Sequence, residues 1–134
     1  MADTIFIKHH NGTRFSATFQ DYTVFTGHGD PGTGADSMTP GMLFASALGM
    51  CVGVTLLAYC KNHDIAYEGM EIEMVRENTE DGKRLKKVTL QVKLPAKLSQ
   101  KDIEVLNRVA HRCYVGQSIL NGAELEEVIT ITGK

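Results

Sequence analysis

The alternation of apolar and polar positions marks five short strands. Ile5 and Ile7 alternate with Phe6 and Lys8, and Phe15, Ala17 and Phe19 alternate with Ser16 and Thr18. Asn11-Gly12 between them is a strong hairpin signal. A short strand, Tyr22 to Thr26, follows Gln20-Asp21. Met70, Ile72 and Met74 alternate with Glu71 and Glu73. Val88, Leu90, Val92 and Leu94 alternate with Thr89, Gln91 and Lys93, so the two runs predict a half-buried antiparallel pair turning at Asp81-Gly82 and ended by Pro95.

Two other stretches are helical. Met42 to Cys60 is a run of 19 residues without a charge. Thr39 is placed to cap it and Pro40 fits the first helical position, where a missing N–H costs nothing. The helix should run to about Asn62. Ala45, Gly49 and Gly53 recur at a spacing of four and predict a face tight enough for helix packing. The second helix covers Ser99 to Arg112, with Ser99 and Asp102 as a capping box. Ile103, Leu106, Ala110 and Cys113 fall on one stripe, which puts Cys113 at the helix's closing, core-facing end. A turn at Asn121-Gly122 and a strand from Leu125 to Thr132 complete the chain. Strands, long helix, strands, helix and strand predict a single α+β domain over 1–134.

Composition changes this picture little. Hydrophobic residues make up 43% and charged residues 22%, as in a soluble globular chain. A net charge of −2 favours no polyanion, and the basic residues near Lys83 to Lys87 read as a solvated hairpin tip rather than a nucleic-acid site. The opening MADTIFIKHH lacks the regions of a signal peptide, and three cysteines predict a cytoplasmic protein with reduced thiols. The apolar run approaches the roughly 20 residues that span a bilayer. It is diluted by Ser46, Gly49, Gly53 and Thr55, and no Lys or Arg lies between Arg14 and Lys61. A buried helix, apolar all round at the centre of a core or a dimer, is the expectation, with no membrane partner.

The candidate chemistry lies in the cysteines. A thiol within an apolar helix and a second on another helix form the layout of a thiol peroxidase, in which one sulfur attacks and the other resolves. The inert alternative for Cys51 is a buried thiol, a common fate of free Cys; Cys60, nine residues on, reads as core. Gly27, Gly29 and Gly32 match G-x-G-x-x-G literally. Pro31 inside the loop and the absence of a carboxylate about 20 positions on argue for an ordinary loop bordering a site. His9, His10, His28, His63 and His111 lack chelating spacing, so no metal is expected. Met42, Met50, Met70 and Met74 read as core filler, or as the lining of a pocket for a lipid-like hydroperoxide.

A Gly-rich loop, Thr39-Pro40, the small-residue helix ASALGMC, a hairpin and a second Cys 62 positions after Cys51 together resemble the OsmC/Ohr family of osmotically induced and organic-hydroperoxide-resistance proteins. The resemblance runs over essentially the whole chain. It implies an OsmC-like fold, with antiparallel sheets around a long buried helix in an intertwined homodimer, and stress-response chemistry at the dimer interface. Cys51 matches the position that attacks the O–O bond as a thiolate and becomes a sulfenic acid. Cys113 matches the one that condenses with it to a disulfide. The implied partners are a small-molecule peroxide and an external dithiol reductant protein of the lipoyl type, with no bound cofactor.

Two departures from the family pattern stand out. Gly41 occupies the place of a Glu that holds an Arg against the thiolate, and Cys113-Tyr114-Val115-Gly116 replaces C-P-x-S. An unperturbed thiol titrates near ~8.5, and higher when buried in apolar surroundings, so a cation must offset the burial. Arg14, the only Arg before the long helix, is the candidate, although its bland reading is a solvated strand residue. Asp36 is the candidate replacement carboxylate. Two functions follow: a Cys-based peroxidase, or a non-catalytic dimer that binds a small apolar ligand or senses redox state.

Overall fold

The computed structural model describes residues 2–32, 36–123 and 130–133. Two units, Met1–Ala47 and Leu48–Lys134, hold most of their contacts within themselves. The N-terminal unit carries β1 (Phe6–His9), β2 (Phe15–Phe19) and β3 (Tyr22–Thr26), antiparallel in the order β1-β2-β3. Phe6 faces Thr18 and Phe15 faces Thr26 in the register. The Asn11-Gly12 turn forms as expected, with the Arg14 N–H donating to the Asn11 carbonyl at 2.8 Å and Gly12 at φ 53.

The base of the glycine loop is closed by backbone hydrogen bonds. The Ser37 N–H donates to the Gly27 carbonyl and the Gly27 N–H to the Met38 carbonyl, each at 3.1 Å. Gly27 has φ 81, and a Cβ there would run into the Thr13 carbonyl. Close approach and a left-handed backbone explain that glycine.

Helix α1 spans Pro40–Asn62. Its start is the anticipated cap: the Thr39 hydroxyl accepts the Met42 N–H at 3.2 Å. Past its end, the Ile65 N–H donates to the Cys60 carbonyl and Asp64 takes φ 54, which turns the chain out of the helix.

In the C-terminal unit, β4 (Glu71–Asn78) and β5 (Leu85–Lys93) form the expected hairpin, with half-buried and exposed residues alternating along both arms. The outward face pairs Glu71 with Lys93 and Glu77 with Lys87. The inward face packs on α1: a Cβ at Gly49 would meet Met74 Cε at 2.6 Å, and one at Gly53 would meet Ile72 Cδ1 at 3.3 Å. The small-residue stripe therefore receives strand side chains. Expected to admit a helix, it admits the hairpin instead. Val52, Leu56 and Cys60 of α1 form one core with Leu106, Val109 and Cys113.

The last third differs from the sequence expectation. Helix α2 covers Gln100–Ala110, with the Ser99/Asp102 capping box formed. It stops before Cys113, and a separate helix, α3 (Tyr114–Asn121), follows. On α2 it is Leu106 and Val109 that are buried, while Ile103 is exposed. The Arg112 N–H already folds back to the Val109 carbonyl at 3.0 Å, so the stripe drawn through Cys113 crosses a break in the backbone. The strand expected from Leu125 to Thr132 lies largely outside the described residues, and 130–132 form no strand.

Candidate active site

The two thiols singled out in the sequence come together inside the C-terminal unit. Cys51 is half-buried on α1, beside the core residue Val52 and three residues beyond Leu48. It stands between the face that packs into the core and an exposed apolar face bearing Met50, Val54 and Leu57. The Thr55 hydroxyl donates to the Cys51 carbonyl at 2.8 Å and fixes the helix there. Cys113 is only 2% exposed. Its backbone is extended, with φ −64 and ψ 145, and it serves as the N-cap of α3. The Gly116 N–H donates to its Sγ at 3.2 Å.

No disulfide joins the cysteines. The Cys113 thiol is pushed up chiefly by burial. Hydrogen bonding and charge from the Cys51 thiol also raise it, while the Gly116 and Val115 N–H groups pull it down. Cys51 packs against the core cluster that holds Cys113. Cys60 is fully buried, and burial pushes its thiol up as well. It belongs to the core, as its sequence position implied.

A cavity of about 490 Å3 opens beside Cys113. Leu48 and Val52 of α1, Val88, Leu90 and Val92 of β5, and Ile119 of α3 form its apolar wall. Asn107 and His111 supply polar groups, and the His111 Nδ1 is engaged by the Asn107 carbonyl at 2.7 Å. Of the four methionines read as core filler or as pocket lining, none lines this cavity. Met42 and Met50 are exposed, and Met70 and Met74 pack as filler.

The remaining candidates sit in the N-terminal unit. The Arg14 guanidinium lies over the Phe25 ring, 5.0 Å from its centroid. The Asp36 carboxylate pairs with His28 Nδ1 at 3.1 Å, with both side chains largely exposed. Gly41 is in the first turn of α1, which carries no acidic residue. What the sequence reading missed is the amide cradle of Cys113. Its signal was Val115 and Ile119 at a spacing of four, the start of a helix rather than a turn.

Residues 32–128 match the family described as OsmC-like protein. No curated protein matches the chain significantly. Among solved structures it is similar to a Psychrobacter arcticus protein described as belonging to the osmotic stress and detoxification response, at 19% identity and TM-score 0.76 over 88% of each chain. An organic hydroperoxide resistance protein of Legionella pneumophila is 20% identical, with TM-score 0.61 over 87% of this chain and 88% of that one. The organic hydroperoxide resistance protein OhrB of Bacillus subtilis is 22% identical, with TM-score 0.57 over 86% and 89%. The antiparallel sheets and long helix share the fold of these proteins.

Proposed function

The chain belongs to the OsmC-like protein family, and on that premise we propose that it reduces organic or hydrogen peroxides through Cys51 and Cys113. The Cys51 thiolate attacks one peroxide oxygen, the O–O bond breaks, and the leaving alkoxide or hydroxide takes a proton from solvent. The Cys51 sulfenic acid then condenses with Cys113 to a disulfide and releases water. An external dithiol, of the lipoyl type, returns both thiols. The observation that carries this reading is that Cys51 packs against the core cluster that holds Cys113, since a resolving sulfur must lie in reach of the oxidised one. Similarity to two proteins named for organic hydroperoxide resistance supports it.

In this proposal Arg14 supplies positive charge to the thiolate. The protein acts in the cytoplasm as an intertwined homodimer of a single OsmC-like domain. The test is one equivalent of cumene hydroperoxide added to reduced wild type, Cys51→Ser and Cys113→Ser, followed by thiol counting and intact mass. Wild type should lose two thiols and the mass of two hydrogens. Cys51→Ser should be inert, and Cys113→Ser should stop as a sulfenic acid. Wild type reacting no faster than a free thiol would sink the proposal.

A second reading has its own support. The apolar cavity, with Gly41 in place of the clamp carboxylate, fits a dimer that binds a small apolar ligand or senses redox state. Tight binding of a non-reactive alkyl ligand by a wild type inert to peroxide would favour it.

A further inference from the structure

The cavity beside Cys113 changes character with depth. At its floor Val52 is 7% exposed and Cys113 2%. At its mouth Asn107 and His111 of α2 are exposed, as is Thr89 of β5. Among the described residues that line it there is no Asp, Glu, Lys or Arg. We propose that the cavity binds a neutral amphiphile, an alkyl chain ending in a hydroxyl group, with the chain on the floor and the hydroxyl held by His111 and Asn107. The inference rests on the ligand-binding reading and deepens it, by naming the head group and the residues that select it.

The head group follows from the state of the imidazole. His111 Nδ1 lies 2.7 Å from the Asn107 carbonyl. A carbonyl oxygen only accepts, so Nδ1 carries the hydrogen and the neutral ring keeps its lone pair on Nε2. The backbone beneath the ring is held as well, since Gln117 Nε2 of α3 donates to the His111 carbonyl at 2.6 Å. The mouth is thus fixed from both helices. The Nδ1 bond alone is an ordinary way to close a helix end. Its consequence here comes from the place of the two residues on the cavity wall.

His111 is the C-cap of α2 and stands four residues after Asn107, so the two side chains share one face. One presents an acceptor, and the other presents an amide that donates. A hydroxyl satisfies both through a single oxygen: its hydrogen goes to Nε2 and its lone pair takes the amide hydrogen. A carboxylate only accepts, and would set its own lone pairs against Nε2. Burial of the chain supplies the affinity, and the polar pair supplies orientation and selectivity.

The test is calorimetric titration of wild type at pH 8, where imidazole is neutral. The probes are 1-octanol, its isomer 1-methoxyheptane, which accepts but cannot donate, and octanoate. Octanol should bind about fivefold more tightly than the ether, the effect of one hydrogen bond, and more tightly than octanoate. His111→Phe keeps a ring at the mouth and removes the acceptor. It should erase the preference for octanol and leave the ether's affinity in place. In a Cys51→Ser, Cys60→Ala background, octanol should also slow alkylation of Cys113 by N-ethylmaleimide, because the chain covers the floor. Equal binding of octanol and ether by wild type would overturn the proposal while leaving an apolar-ligand site intact. So would tighter binding of octanoate, a preference that survives His111→Phe, or alkylation that octanol does not slow. A wild type that binds none of the three would overturn the ligand-binding reading as well.

Discussion

At the scale of single residues, the environment of each sulfur decides its role. Cys60 is fully buried in the core and its thiol is pushed up by burial, a setting that suits packing rather than reaction. Cys60→Ala should retain the two-thiol loss on peroxide treatment. Cys60→Ser should instead cost roughly 1–3 kcal/mol in urea unfolding, because it buries a hydroxyl without a partner. The raised thiols also set a pH dependence. Folded Cys60 and Cys113 hold protons that the unfolded chain loses near pH ~8.5. Their contribution is therefore complete below that pH and is lost as pH rises toward the folded values. Unfolding followed from pH 7 to 10 should show this decline, reduced in Cys60→Ala; a flat profile would contradict the burial of both thiols. Gly41 offers the converse change. A Glu at this first-turn position of α1 would also favour the helix dipole. If only the clamp is missing, Gly41→Glu should raise the rate with peroxide about tenfold, the effect of a one-unit drop in thiol pKa. The family likeness singled out Cys51 and Cys113, and the structure places Cys51 against the core cluster that holds Cys113. The setting of Cys113 was not legible, because a 3.6-residue stripe continues on paper through His111 and Arg112 whether or not the backbone does.

Among the elements, those with one dominant signal were read well. The strands show period two, α1 opens on Thr39-Pro40, and α2 opens on a capping box whose two bonds are present at 3.0 and 3.1 Å. Ser99→Ala removes a cap of ordinary strength and should cost about 1 kcal/mol, seen as a lower urea midpoint with an unchanged slope. Helix α3 was missed because Gly116 and Ser118 dilute its apolar positions and a sulfur caps it. The Gly49/Gly53 stripe was read correctly as a close-packing face but given the wrong neighbour. Nothing in a single chain's spacing says whether a helix or a hairpin will fill it. The distances sort the substitutions. Gly53→Ala meets Ile72 at 3.3 Å and should be nearly neutral, with the gain in helix propensity offsetting a small shift. Gly49→Leu must displace Met74 and the hairpin behind it. It should destabilise by roughly 1–3 kcal/mol, as overpacking does.

For the molecule as a whole, apolar surface exposed on one chain argues for a second copy. Helix α1 is apolar on every side, yet only one face packs into the core of its unit. Met50 is 59% exposed and Val54 68%, on the face opposite Val52 and Leu56. The N-terminal sheet, considered by itself, leaves Phe6 71% exposed, with Ile7 and Tyr22 also open. Apolar area contributes about 25 cal/mol per Å2 when it is removed from water, so covering two such surfaces is worth several kcal/mol. An all-apolar helix in the sequence called for burial on every side, in a larger core or a dimer, and the structure separates the face that packs from the one that is exposed. A dimer predicts that wild type sediments at twice the chain mass and melts at a temperature that rises with protein concentration, because association adds to stability by mass action. Val54→Asp buries a charge in such an interface while touching nothing in the core of its own unit. It should give monomer in sedimentation, remove the concentration dependence of melting and lower the melting temperature. A wild type that sediments as monomer and melts at one temperature at every concentration would leave the exposed face of α1 to another partner, and would take with it any contribution from a second copy to the chemistry at Cys51.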